Sequence, residues 1–73
     1  MDNIKLARDF RRKQKAMEHW NKLADDVEYY ADLGLLDTNV AKERADCYRR
    51  TACAIQHDID SLVALAKEKN NEQ

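Results

Sequence analysis

Proline is absent from these 73 residues, and glycine and serine occur once each. Without proline nothing inside the chain forbids a helix, and with Gly34 as the sole glycine there is no glycine-rich loop to cradle a phosphate. Ser61 is the lone serine, and there is almost no loop in which to set a reactive group, so the chain reads as no enzyme and implies no cofactor. An excess of one charge is missing too. Thirteen Lys and Arg stand against 14 Asp and Glu, a formal net charge of -1, so the global balance favours neither nucleic acid nor a membrane surface as partner. No apolar run approaches the roughly 18 to 20 residues that span a bilayer, and polar residues follow Met1 at once, which together predict a soluble, cytoplasmic protein. Cys47 and Cys53 are six positions apart, on different faces of a helix and too distant to bridge, so both are expected as free thiols.

What the chain does have is charge, 37% of its residues, and a regular apolar rhythm. In the first half, apolar positions recur at alternating steps of four and three: Leu6, Phe10, then Lys13 as an exception, Met17, Trp20, Ala24, Val27 and Ala31. A second row at Ala16, Leu23 and Tyr30 widens that stripe. The second half repeats the rhythm at Ala41, Ala45, Tyr48, Ala52, Ile55, Ile59, Leu62 and Ala66. Each stripe is the mark of a long helix with one seam. Between them lies Leu33-Gly34-Leu35-Leu36-Asp37-Thr38, where Gly34 can end a helix in the left-handed conformation and Asp37 or Thr38 can cap the next. The expected fold is all-α: an antiparallel helical hairpin forming one domain over residues 1–73. Helix 1 is placed at about 4–33 with Asp2 and Asn3 as cap, the turn at 34–37, helix 2 at about 38–69, and a frayed polar tail at 70–73.

Folding the two stripes together at the turn sets Ala31 against Ala41, Val27 against Ala45, Ala24 against Tyr48, Trp20 against Ala52, Met17 against Ile55, Lys13 against Ile59, Phe10 against Leu62 and Leu6 against Ala66. Large faces small in the two central layers, as close packing requires. Two helices cannot enclose a full core, and Leu23, Tyr30, Val63 and Leu65 lie beside the seam, so these four are expected to form the interface of a homodimer, a four-helix bundle. An obligate partner protein is the alternative. Trp20 and Tyr48 have seam positions, which leaves Tyr29 as the aromatic reserved for a partner.

Charge is unevenly spread along helix 1. Residues 5–15 carry Lys5, Arg8, Arg11, Arg12, Lys13 and Lys15 against Asp9 alone, while Asp25, Asp26, Glu28, Asp32 and Asp37 mark the turn end. Both placements oppose the helix macrodipole, which favours acids at a helix start and bases at its end. Charge pairing within the hairpin is one reading: Lys42, Arg44, Arg49 and Arg50 start helix 2 beside the acids, and Asp58 and Asp60 can reach the basic stretch. The functional reading makes Arg8, Arg11, Arg12 and Lys15 a contact for a partner or for a nucleic-acid backbone, although taken one by one they spread around the helix and do not share a surface. Asp25, Asp26, Glu28 and Asp32 form a candidate acidic contact for a basic partner. Cys53 and His57 with Asp60 have a spacing that can offer ligands to a metal, but on the outward side and with no second half-site, so no metal is implied. His19 is expected as a half-buried flank residue.

The alanine-rich seam, the Ala24–Tyr48 and Trp20–Ala52 layers and the cysteines of helix 2 resemble, in architecture, the dimeric RNA-binding helical hairpin encoded by small plasmids. That resemblance implies an RNA face on helix 1, which only the Arg8 to Lys15 region matches. The length, the charged helical character and the Met-Asp-Asn-Ile start also resemble the small early accessory proteins of lambda-type temperate bacteriophages. This second resemblance implies a regulatory role in phage development or host takeover, exerted through protein–protein interaction.

Overall fold

A computed structural model describes residues 3–71. It contains two helices, α1 at Asn3–Asp32 and α2 at Thr38–Asn71, packed side by side and antiparallel as expected. Asp2, assigned as part of the first cap, lies outside the described residues, as do Glu72 and Gln73 of the polar tail. Helix α2 continues through Asn70 and Asn71 rather than fraying at Lys69, because neither a glycine nor a proline follows to stop it.

The turn is fixed by hydrogen bonds at both of its ends. Gly34 has φ +79°. Its N–H donates to the Ala31 carbonyl at 3.0 Å, and the Leu35 N–H donates to the Tyr30 carbonyl at 2.9 Å. This pair of bonds, running three and five residues back, is the Schellman closure that satisfies the last carbonyls of a helix. Three residues later Asp37 caps α2: its Oδ2 accepts from the N–H groups of Asn39 at 3.0 Å and Val40 at 3.1 Å. The Asp37 carbonyl accepts the first helical bond, from Ala41, at 2.9 Å. Asp37 rather than Thr38 is therefore the cap.

Every seam position on both helices is buried or half-buried. The most deeply covered residues are small: Ala24 at 0% exposure, Ala41 and Ala45 at 2% and Ala52 at 3%, with Ile59 at 6%. Ala24 and Ala52 are the small members of the two central layers, set against Tyr48 and Trp20 in the expected register. Those large residues, Trp20 and Tyr48, also meet each other, with ring centroids 5.7 Å apart. No large side chain among the described residues is fully buried. Full burial is worth about 1.5 to 3 kcal/mol for such a residue, so a two-helix core stabilised mainly by covered alanines is thin.

The cross-helix ion pairs fit the same register and mark two broad faces. On one, Arg49 bonds Asp25 at 3.0 Å and also pairs with Glu28. On the other, Lys13 Nζ lies 3.7 Å from Asp58, so the one charged seam residue leads its ammonium out to a partner. The molecule is a rod of 56 × 16 × 11 Å. No described helix is long and apolar enough to cross a membrane.

Candidate functional site

Three surfaces carry the side chains singled out in the sequence. The first is basic. Arg8, Arg11, Arg12 and Lys15 are all exposed, and among the described residues none has an ion-pair partner. The expectation that they spread around the helix is wrong. Their steps of three, one and three residues are those of a single helical face, because each residue advances the helix by about 100°. That face points away from the seam, whose members Phe10, Lys13 and Met17 sit half-buried on the other side. Lys5 joins the row one turn earlier, and Ile4, Lys5, Arg8, Asp9 and Arg12 line an open groove on the first turns.

Pairing within the hairpin accounts for only part of the charge pattern. Among the described residues, Lys13 is the one member of the basic stretch that is paired, and Arg49 the one cation of early α2. Lys42, Arg44 and Arg50 have no ion-pair partner among the described residues, and Asp60 accepts instead from the Gln56 side chain at 2.9 Å.

The second surface is the turn end, where apolar side chains crowd into solvent. Tyr29 is 59% exposed, Leu33 54% and Leu35 74%, with Tyr30 and Val40 also exposed beside them. The Tyr29 and Tyr30 rings lie 6.2 Å apart, so the two aromatics form one patch. Of the candidate acidic contacts, Asp25 and Glu28 are engaged by Arg49, whereas Asp26 and Asp32 have no ion-pair partner among the described residues. The sequence pattern singles out Tyr29 alone. Leu33, at the expected end of helix 1, and Leu35, in the expected turn, fall outside both apolar rhythms and carry no signal of exposure. Near the turn the small Ala31, Ala41 and Ala45 also leave a shallow cleft between the helices, rimmed by Asp32, Lys42 and Asp46.

The third surface is the flank of the seam. Leu23 and Val63 are half-buried, Tyr30 is 45% and Leu65 44% exposed. Grouping all four in one interface does not hold. Val63 and Leu65 are two residues apart, about 200° around the helix, so they straddle the seam. Leu65, two turns beyond Asp58, shares the Lys13–Asp58 face with Leu23 and Tyr30. Val63, four turns beyond Arg49, lies on the other.

The remaining candidates do not assemble into a site. Cys47 and Cys53 are free and exposed. No group of metal-ligating side chains gathers among the described residues, His57 and Asp60 included. His19 is exposed rather than half-buried, its ring edge-on to Trp20 at 5.7 Å, because it lies two turns beyond exposed Arg12, outside the flanking row of Ala16 and Leu23. No protein-family model matches the chain, and neither the curated proteins nor the solved structures include a match.

Proposed function

We propose that this hairpin is a small non-enzymatic accessory protein that regulates by binding another protein, which it holds at the turn end. The observation that carries this reading is the exposure of Tyr29, Leu33 and Leu35 together at one tip, bordered by Asp26, Asp32 and Asp37. Aromatic and aliphatic anchors inside a charged rim are how protein interfaces concentrate their affinity. The acids specify the partner's chemistry: an apolar groove with Lys or Arg at its border. They also disfavour a nucleic-acid backbone at this end. A cytoplasmic setting, in which two exposed thiols stay reduced, goes with this reading. The resemblance to early accessory proteins of lambda-type phages supports placing the regulation in phage development or host takeover.

A photo-crosslinking residue at position 35, expressed in the native host, tests it. The expected result is a protein adduct that is lost in Tyr29→Ser/Leu33→Ser and kept when Arg8, Arg11, Arg12 and Lys15 are all changed to Gln. An adduct indifferent to the tip substitutions would overturn the assignment.

The second reading is a dimeric hairpin that binds an RNA or DNA backbone. It is favoured by the one-sided row Arg8, Arg11, Arg12 and Lys15, without ion-pair partners among the described residues, since cations at that spacing can follow phosphates without reading bases. Under it the quadruple Gln variant loses affinity alike for every sequence. The slope of log affinity against log salt becomes shallower by roughly 0.7 to 0.9 per phosphate contact removed.

A further inference from the structure

The two broad faces of the hairpin are not alike. Beside the Arg49 ion pairs, α1 presents Gln14, Asn21, Asp25 and Glu28, a polar border. The Lys13–Asp58 face is bordered instead by Asp9, Ala16, Leu23 and Tyr30 on α1 and by Arg44, Thr51 and Leu65 on α2. Three large apolar side chains, Leu23, Tyr30 and Leu65, remain partly in water on this face, against Val63 on the other.

The molecule also has surface to give up. It exposes 5887 Å², on the order of 1,200 Å² more than a compact monomer of its mass. A standard interface takes about 800 Å² from each partner.

Charge identifies what fits. From Asp25 to Asp46 seven acids stand against Lys42 and Arg44, whereas from Lys5 to Lys15 six cations stand against Asp9. Two copies laid face to face about a twofold axis have their turns either together or opposed. Turns together gathers like charge at both ends. Turns opposed lays α1 antiparallel on its counterpart, the cations of each over the acids of the other. Residues 8 and 26 are nearly equidistant from the middle of Asn3–Asp32, and they lie five turns apart on the same side of the helix. Full overlap therefore brings each Arg8 opposite the other copy's Asp26. Both are without an ion-pair partner among the described residues of the single hairpin.

We infer that a second copy of this chain covers the Leu23, Tyr30 and Leu65 face with its turn at the opposite end, closing a four-helix bundle whose border holds two symmetric Arg8–Asp26 pairs. This goes beyond the partner-binding reading and does not depend on it. Tyr29 and Arg11 lie further round the outer side of α1 and stay exposed in the pair, whereas Lys15 and Leu33, two turns beyond Arg8 and Asp26, stand along the same border.

Sedimentation of purified chain tests it, with helicity checked by circular dichroism. The wild type is expected to be dimeric at micromolar concentration and to dissociate more readily as salt rises. Arg8→Asp and Asp26→Arg each place like charges opposite one another at both symmetric sites, and each is expected to weaken the dimer about tenfold or more. An equimolar mixture of the two single variants restores attraction at both sites, as does the double variant, so both are expected to return to near wild-type association. Three results would overturn the inference: a wild type that stays monomeric at about a hundred micromolar, a dimer that tightens with salt, or a mixture no more associated than either single variant alone. The salt series uses the unaltered chain, so it decides even if a variant fails to fold.

Discussion

Trp20 and Ala52 fix the register more tightly than any charged pair, because the indole has room only where the opposite helix carries a methyl group. Ala52 is 3% exposed while Ala54, two residues on, is exposed. Ala52→Leu is therefore expected to overpack the seam and cost roughly 1 to 3 kcal/mol. Ala54→Leu should change stability by less than about 0.5 kcal/mol, as surface substitutions usually do. Urea unfolding at one fixed protein concentration measures both, and equal losses would mean that the layers are misassigned. The seam residues were legible because a 4-3 rhythm without a break has one geometric solution. Individual flanking residues were less so. His19 and Val63 were misplaced since a step of one or two residues carries a side chain 100° or 200° around a helix, and a linear reading of neighbours hides that. The basic row suffered the same error in reverse: residues that look scattered in the sequence, at 8, 11, 12 and 15, share one face.

At the scale of the elements, stability rests on how two helices are stopped and started within five residues. Gly34 has nothing within 4 Å of where a Cβ would stand, so a side chain there meets no steric obstacle. The cost of Gly34→Ala is that of the backbone alone, about 1 to 2 kcal/mol for an L-residue held at positive φ. Gly34→Asn should cost less, because asparagine tolerates that region. Asp37→Ala removes the acceptor for two amides and should cost about 1 kcal/mol. A comparison of unfolding midpoints ranks the three; a neutral Gly34→Ala would mean that the Schellman closure does not hold in solution. The turn was legible because one glycine and one good cap fell between two long rhythms. The helix ends were legible only to within about two residues, since frayed turns exchange partners with little change in energy. Helix α1 also carries its basic row at the wrong pole of its own dipole. With no ion-pair partner among the described residues to lose, Arg8, Arg11, Arg12 and Lys15 all changed to Gln should leave a monomeric hairpin as helical as before or slightly more so, read by circular dichroism under conditions where the chain is not associated. Loss of helicity would reveal pairing that the hairpin does not display.

For the whole molecule, shape is the governing fact. The radius of gyration is 16.6 Å for 73 residues, against about 11 Å for a compact chain of that length. A rod this thin holds its charge far apart, and with a net charge of only -1 it is close to neutral yet strongly polarised. Such a particle is an electrical bar magnet. At about 0.01 M salt its poles act over about 30 Å, so hairpins that remain single should attract end to end and scatter light. At physiological salt the reach falls to about 8 Å, half the 16 Å width of the rod, and the scattering should fall. Two rods laid with opposite poles together cancel each other's moment. Salting-in, read as light scattering along a dilution series in low-salt buffer, thus belongs to chains that have not found a counterpart and should fade as pairing becomes complete.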